Sequence, residues 1–504
     1  MTPIFTGSNI SELDKYTIKN EPIDGTDLVE RAASTFVNIF KRKYNKQTKI
    51  YVFAGSGNNG ADALAIARML LNDGYIVESY LFNPSNKLSI ECEEHKTRLM
   101  HCPINRFTMI TSTFNPPIIE DNSIIIDGIF GTGLNRQVEG GFAALIKFIN
   151  SVSATVIAID IPSGLFSESN MNNNPDTIVK ANYTYTFEFP KLAFFFRENE
   201  KFIGKWKILP IGLSEKGKRE IKTEYFLVED KDMSAISTER SKFSHKGTFG
   251  HSLIIAGSKG MMGAACLSAK AAIKTGLGKL TLHVPSCGYT IAQTVVPEAM
   301  CQVDTDELFN TEINLDKDYT TIGVGPGLGN YPEGARMLET LFEKYRKPMV
   351  IDADALNIIA NNRDLLRKIP KDSILTPHPG ELERLTTFST NSEEQIIQAQ
   401  NLAYKYNIYV ILKGAYSATC MPSGHVTFNS TGNPGMATGG SGDVLFGMLV
   451  GLLSCGYNPS TAAIMANYIH GLAGDIYVAK ESEESLSASD IIDHIGLAFR
   501  QLRD

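Results

Sequence analysis

The sequence predicts an α/β protein of two successive domains, each built on a parallel sheet with crossover helices. Three observations lead there. The chain has 504 residues, more than one hydrophobic core usually supports. Short β-branched runs alternate with helical patterns in both halves. Between Leu213 and Lys246 the chain turns charged and polar, as in SEKGKREIKTE and EDKDMSAISTERSK, which marks a domain boundary. The first domain is therefore read as residues 1–225 and the second as 226–504.

In the first half, Lys49 to Phe53, Ile76 to Phe82, Ser123 to Asp127 and Thr155 to Asp160 read as strands. In the second, the strands are Ser252 to Ala256, Lys279 to Val284, Thr320 to Val324, Pro348 to Ile351, Ser373 to Thr376 and Ile408 to Leu412. Hydrophobic residues make up 43% of the chain and charged residues 20%, which excludes general disorder. A net charge of -7 gives no overall electrostatic reason to bind nucleic acid.

The 7 cysteines contain no CxxC pair, which argues against a disulfide framework or structural zinc and fits a reducing compartment. The N-terminus has no basic start followed by an apolar core, and the longest apolar run, near Val444 to Cys455, is too short to span a bilayer. A cytoplasmic protein without a membrane anchor is expected.

The most informative stretch is Asn433-Pro-Gly-Met-Ala-Thr-Gly-Gly-Ser-Gly-Asp-Val-Leu445. Its glycines let backbone amides converge on an anion, and the following helix adds its positive end. Asp443 then stands where a base would take the proton of an attacking hydroxyl during phosphoryl transfer. No Lys-Ser/Thr pair ends the stretch, so it is not a P-loop.

Further motifs fall at successive strand ends of the second half. They are Gly325-Pro-Gly-Leu-Gly329, Asp352-Ala-Asp354, Thr376-Pro-His-Pro-Gly-Glu381 and Lys413-Gly-Ala-Tyr-Ser417. In the first half, Gly55-Ser-Gly-Asn-Asn-Gly60 satisfies the dinucleotide fingerprint, with Glu78 roughly where a ribose acid would fall. Asp127-Gly-Ile-Phe-Gly-Thr-Gly-Leu-Asn-Arg136 and Asp160-Ile-Pro-Ser-Gly164 lie after neighbouring strands, so one composite crevice is expected. Asn59, Asp127 and Ser163 offer oxygen ligands of low formal charge, suited to a monovalent cation at least as well as to magnesium. Asp160 is the candidate acid/base, and Lys191 a second candidate.

From about residue 10 to residue 215 the chain resembles the NAD(P)H-hydrate epimerase family, with Asn58-Asn-Gly-Ala-Asp62 where that family usually has NNGGD. The resemblance implies a Rossmann-like three-layer α/β/α domain. It also implies that Asn58, Asn59, Gly60, Ala61, Asp62, Gly131, Thr132, Gly133, Leu134, Asn135, Arg136, Gln137 and Asp160 contact the hydrated nucleotide, and that Asn59, Asp127 and Ser163 hold potassium.

From about Lys246 onward the chain resembles the ribokinase-like ADP- or ATP-dependent NAD(P)H-hydrate dehydratases, through GSKGMMGAA, GPGLG, DADAL, TPHPGE, KGAYS and NPGMATGGSGDVL. That resemblance implies that Ala264, Gly327, His378 and Asp443 touch the hydrate. Lys413, Gly414, Ala415, Tyr416, Ser417 and Gly442 would bind the adenine nucleotide, Gly439, Gly440, Ser441 and Gly442 would form the anion hole, and Glu381 would order magnesium-bound water.

Together the two halves imply repair of both epimers of the NADH and NADPH hydrates (NADHX and NADPHX), with ADP or ATP as co-substrate and a homo-oligomeric assembly. The alternative is a small-molecule kinase, for instance of a vitamin precursor, joined to a non-catalytic nucleotide-binding module.

Overall fold

The computed structural model describes residues 1–21, 23–102, 106–236 and 240–503. It divides into two compact units, Pro3–Thr223, and Glu224 onward together with Met1–Thr2. Residues 237–239, within the polar stretch read as a boundary, lie outside the described residues. That stretch also carries a strand, Tyr225–Val228, and a short helix, Asp230–Ile236, both in the second unit.

The first unit begins with helices α1 (Gly7–Asn20) and α2 (Gly25–Lys43). Its seven strands are β1 (Lys49–Ala54), β2 (Ile76–Phe82), β3 (Arg106–Ile110), β4 (Ile124–Gly128), β5 (Thr155–Ile159), β6 (Tyr183–Phe187) and β7 (Lys205–Leu209). All pair in parallel, in the order β3-β2-β1-β4-β5-β6-β7.

Side chains of a strand alternate between faces, and β1 shows the consequence. Ile50, Val52 and Ala54 pack with residues of α2, α3 (Asn58–Asn72) and α4 (Ile90–Met100), while Tyr51 and Phe53 pack with Leu145, Ile146 and Ile149 of α5 (Gly140–Ser151). Helices on both faces make three layers, and strands buried on both faces read as near-continuous apolar runs. The strand order reverses between β1 and β4, so the carboxyl ends of these strands open a crevice there.

Edge strands β3 and β7 are absent from the sequence reading, because their half-exposed faces carry Arg106, Thr108, Lys205 and Lys207. Glu78, read as a ribose acid, is corrected by the register. It pairs with Tyr51 near the start of β1, at the opposite end from the crevice, and its carboxylate meets Arg106 at 2.8 Å and Lys49 at 3.6 Å.

The second unit contains β8 (Tyr225–Val228), β9 (His251–Ile255), β10 (Lys279–Val284), β11 (Met300–Val303), β12 (Thr321–Val324), β13 (Met349–Ile351), β14 (Ile374–Leu375), β15 (Tyr409–Leu412), β16 (Ala418–Cys420) and β17 (Val426–Asn429). They lie in the order β8-β17-β16-β15-β14-β13-β12-β9-β10-β11. From β15 to β11 neighbouring strands are parallel, β15, β16 and β17 pair antiparallel in turn, and β8 runs parallel to β17. The short strands β8, β11, β16 and β17 are the ones the sequence reading lacks.

Helices α6 (Met262–Thr275), α9 (Ser441–Ser454), α10 (Pro459–Val478) and α11 (Ala488–Gln501) contribute to one large core, whereas α7 (Ala353–Asn361) and α8 (Pro379–Leu385) follow strands β13 and β14. Helix α9 is buried at every position from Val444 to Ser454, as a central core helix is. No helix among the described residues is long and apolar enough to cross a membrane.

Gly447 and Gly451, one turn apart on α9, let it approach α6 closely. A Cβ at Gly447 would overlap the Ser268 carbonyl oxygen, and one at Gly451 would lie 2.8 Å from Thr275 Cβ. Gly447→Val is expected to cost about 1–3 kcal/mol through overpacking. Denaturant unfolding checks this, with a lower midpoint for the second unit and an unchanged one for the first.

Two candidate active sites

In the first unit the glycine requirement of the β1–α3 turn falls on Gly55 and Gly60. A Cβ at Gly55 would overlap the Ile129 carbonyl, and one at Gly60 would overlap the Gly55 carbonyl. Ala61 is fully buried among core residues, so its methyl occupies space that a glycine would leave empty. Asn58 opens α3 in an exposed position, and Asp62 is half-buried.

Asn59, Asp127 and Ser163 converge on the Phe130 peptide. Asn59 Nδ2 donates to the Phe130 carbonyl at 2.9 Å, and Phe130 N–H donates to Ser163 Oγ at 2.9 Å. Ser163 donates to Asp127 through its amide at 2.8 Å and its hydroxyl at 2.6 Å. Asp127 is fully buried, and burial pushes its carboxyl up to about 6 against the pull of these hydrogen bonds.

The loop from Gly131 to Gln137 forms the rim. Gly131 packs against Asn59, and the Thr132 carbonyl lies against Gly7 of α1. Gly133, Asn135, Arg136 and Gln137 are exposed, while Leu134 is half-buried.

Asp160, immediately after β5, has φ of 63°, a left-handed conformation that costs a non-glycine residue energy and points to a functional constraint. Its Oδ1 accepts from Lys191 Nζ at 2.6 Å, Phe187 N–H at 2.9 Å and Thr186 Oγ1 at 3.1 Å. The Lys191 side chain is 1% exposed and Asp160 13%, so this ion pair is largely desolvated. Two further carboxyls neighbour the pair: Asp62 of the first motif, and Asp14, which no motif in the sequence marks. Asp14 of α1 is pushed up to about 7 by burial and then by the Asp160 charge, with Lys191 opposing. Asp62 is pushed well above the usual carboxylate range by burial, then by Asp160, Asp14 and Glu91.

In the second unit, the motifs lie beyond the carboxyl ends of β9, β12, β13, β14 and β15. Gly327, with φ of 63°, faces Ala264, so that a Cβ on Gly327 would sit 3.2 Å from the alanine methyl. Ser258 Oγ donates to the Gly327 carbonyl at 2.8 Å, and Gly329 N–H donates to Asp354 Oδ2 at 2.9 Å.

Lys413 is the cation of this site. Its Nζ donates to Asp352 Oδ1 at 3.0 Å, stands 3.8 Å from Glu381 Oε2, and lies 3.5 Å from where a Cβ on Gly442 would be. The remaining Gly414–Ser417 residues form the turn between β15 and β16, where the Gly414 amide donates to Ser417 Oγ at 3.2 Å. His378 caps α8 by accepting from Gly380 N–H at 3.1 Å and is exposed. Glu381 is buried, and its Oε2 accepts from His378 N–H at 2.8 Å.

Gly440, at φ of 90°, is the N-cap of α9, whose first turn carries Ser441, Gly442 and Asp443. Helix geometry leaves first-turn amides without intrahelical partners, available to an anion. Burial pushes Asp443 up to about 7. The Asp352 charge adds to this, Lys413 opposes it, and Asp354 contributes least. His470, a buried histidine on α10 that no sequence motif marks, places Nε2 3.0 Å from the Ser441 carbonyl and 3.3 Å from its hydroxyl. Burial brings its pKa down to about 4, so it is neutral.

Residues 25–193 match the model of the YjeF-related protein N-terminus, and residues 252–496 match that of NAD(P)H-hydrate dehydratase. The bifunctional NAD(P)H-hydrate repair enzyme of Moorella thermoacetica is 30% identical over 520 residues, covering 99% of this chain and 97% of its own. The chain belongs to the family of bifunctional NAD(P)H-hydrate repair enzymes. The member from Coxiella burnetii is 32% identical over 503 residues, covering 98% of this chain and 99% of its own.

Among solved structures, the ADP/ATP-dependent NAD(P)H-hydrate dehydratase of Bacillus subtilis, co-crystallised with ATP/Mg2+, is 30% identical with a TM-score of 0.50, covering 54% of this chain and 97% of its own. A ribokinase-like superfamily protein from Enterococcus faecalis, 24% identical with a TM-score of 0.50, covers 56% of this chain and 99% of its own. The second unit has that ribokinase-like fold. Both layered α/β architectures expected from the sequence are thus present.

Proposed function

We propose that the first unit interconverts the R and S hydrates of NADH and NADPH, and that the second dehydrates the S form at the expense of ADP or ATP. The observation that carries this is the placement of Asp443. A carboxyl raised to about 7 stands in the first turn of α9, in the field of Lys413. In this reading Asp443 takes the proton of the C6 hydroxyl as that oxygen attacks the terminal phosphorus of the nucleotide. Gly439, Gly440, Ser441 and Gly442 cradle the charge that develops, and Lys413 to Ser417 hold the nucleotide. Phosphate then departs from C6, and the neighbouring carbon loses a proton to restore the double bond. Ala264, Gly327 and His378 flank the hydrate.

Among the described residues no group of three or more His, Cys, Asp or Glu is poised to hold a metal ion. Magnesium therefore enters this reading with the nucleotide phosphates and supplies charge neutralisation there. Glu381, already engaged by the His378 amide and close to Lys413, suits contact through water rather than direct ligation.

In the first unit, Asn58 to Asp62 and Gly131 to Gln137 are assigned to the hydrated nucleotide and Asp160 with Lys191 to its chemistry. Potassium fits the oxygens around Phe130, because the buried Asp127 carboxylate, the Ser163 hydroxyl and the Asn59 side-chain amide gather there with a single formal charge among them. Asn59, Asp127 and Ser163 would hold the ion, which would fix the β4–α5 turn. Potassium should therefore raise the melting temperature of the first unit, and Asp127→Asn should abolish that rise. Thermal shift in potassium against tetramethylammonium at equal ionic strength checks both.

Mixed hydrates incubated with each nucleotide test the whole reading. Recovery of nicotinamide absorbance with stoichiometric inorganic phosphate supports it. A stable phosphorylated product would favour the small-molecule kinase instead.

A further inference from the structure

Epimerisation at C6 requires a proton to be given as well as one to be taken. Three donors already converge on Asp160 Oδ1, which makes Asp160 an acceptor. A carboxyl that could serve as the donor lies on α1. Leu13 of this helix is fully buried in a cluster with Phe5, Phe189 and Ile211, and the Phe189 carbonyl accepts from Lys191 Nζ at 3.0 Å. At the start of the helix, Gly7 N–H donates to Glu168 Oε1 at 2.6 Å, and the Gly7 backbone lies against the Thr132 carbonyl of the rim loop. Helix α1 thus runs from the substrate loop to the Asp160–Lys191 pair. Asp14, the next residue after Leu13, is half-buried within the field of both charges and forms no hydrogen bond among the described residues.

We propose that Asp14 is the general acid of the epimerase site, acting on the C6 oxygen of the hydrated nicotinamide while Asp160, held by Lys191, is the base. The proposal rests on the epimerase reading of the first unit. In the forward step the lone pair of the ring nitrogen forms a double bond to C6, the C6–O bond breaks, and the departing oxygen takes the Asp14 proton to leave as water. A water molecule then adds to the other face of C6. Its oxygen forms the new bond, the double-bond pair returns to nitrogen, and its proton passes to Asp160. Exchange with solvent returns the proton to Asp14, so atoms and charge balance over the cycle.

The groups facing Asp14 are consistent with that role. The charges of Asp160 and Lys191 act on Asp14, and those of Asp160, Asp14 and Glu91 of α4 act on Asp62 of α3. Asp14 and Asp160 share the Lys191 ammonium while Asp62 adds a third carboxyl, and like charges at close range favour retention of a proton on one of them. Burial adds to this at Asp14, whose carboxyl lies near 7.

The test uses the full chain and a purified R hydrate with excess nucleotide, so that the second unit reports each S molecule formed. Asp14→Asn should lower the conversion rate by about 10²–10⁴-fold above the uncatalysed background, with dehydration of pure S hydrate unchanged. In the wild type, kcat/KM for R hydrate should fall as pH rises through about 7, because the acid is lost, and Asp14→Asn should lose that limb. Asp14→Glu, which retains an acid, should recover part of the rate and keep an alkaline limb. If Asp14→Asn fails to fold, this variant and its pH limb decide. In H₂¹⁸O without nucleotide, the epimerised hydrate should gain one solvent oxygen.

A full rate in Asp14→Asn, with loss in Asp160→Asn/Lys191→Met, would overturn the role of Asp14 alone. A full rate in both would overturn the epimerase reading. An epimerised hydrate without solvent oxygen would overturn the bond-breaking step.

Discussion

Asp443→Asn is expected to bind ADP or ATP as the wild type does and to lose about 10²–10⁴-fold in the rate of dehydration. The loss should appear in kcat, because the residue acts on the reacting hydroxyl while the nucleotide contacts lie on the Lys413 turn and the α9 amides. The reaction of the wild type should rise with pH through about 7, where Asp443 gives up its proton in the free enzyme. Stability should show the opposite sign. Unfolded aspartate ionises near its ordinary value of 3.8, whereas Asp443 in the fold holds its proton to about 7. The folded state therefore binds the extra proton between those values, and the contribution of this group to stability falls as pH rises across that window. Asn has no such titration, so the variant should melt higher than the wild type at pH 8 and match it below pH 4. An inactive variant that melts lower at pH 8 would indicate damage to the fold rather than removal of a base.

Lys191→Met is expected to destabilise the first unit by about 3–5 kcal/mol, since it leaves Asp160 buried without its cation. For a unit of this size that corresponds to a fall of roughly 6–20 °C in its melting transition. Conversion of R hydrate should disappear with it, whereas dehydration of S hydrate by the second unit should persist. The double variant Asp160→Asn/Lys191→Met removes both charges and should recover much of the lost stability without recovering epimerisation. That contrast separates the chemistry of the pair from its structural cost. Differential scanning calorimetry, with parallel assays on the separated epimers, checks each part. An unchanged melting transition in Lys191→Met would contradict the buried pair.

Much of the fold was legible because strands buried on both faces are written as apolar runs, and because glycine and aspartate at their carboxyl ends carry a chemical signature. Asp160 and Asp352 lie in such motifs directly after β5 and β13, and Asp443 lies in the glycine-rich turn that opens α9. Edge strands were not legible. Their alternation of Arg, Thr and Lys with apolar residues resembles loop composition, as at Arg106–Ile110 and Lys205–Leu209. Glu78 was misplaced for a related reason: sequence spacing gave no register to show that it faces Tyr51 near the start of the sheet rather than the crevice.

Asp14 carries no motif at all. Its importance depends on the packing of Leu13 against Phe189, a contact between segments far apart in the chain. His470 is similar, since a single histidine on an apolar helix becomes informative only once Ser441 is seen beside it. The alanine at position 61 shows the converse. The related family usually has glycine there, yet the crowded positions are Gly55 and Gly60, and the Ala61 methyl belongs to the core.

The central claim is that the C6 oxygen of the hydrate becomes an oxygen of the released phosphate, after Asp443 has taken its proton. S hydrate labelled with ¹⁸O at C6 and incubated in unlabelled water with ADP or ATP tests this most directly, using Asp160→Asn/Lys191→Met to prevent washout by the first unit. Inorganic phosphate carrying one ¹⁸O per turnover is the predicted result. Unlabelled phosphate, with the label in water, would contradict phosphorylation of the hydroxyl and with it the role assigned to Asp443.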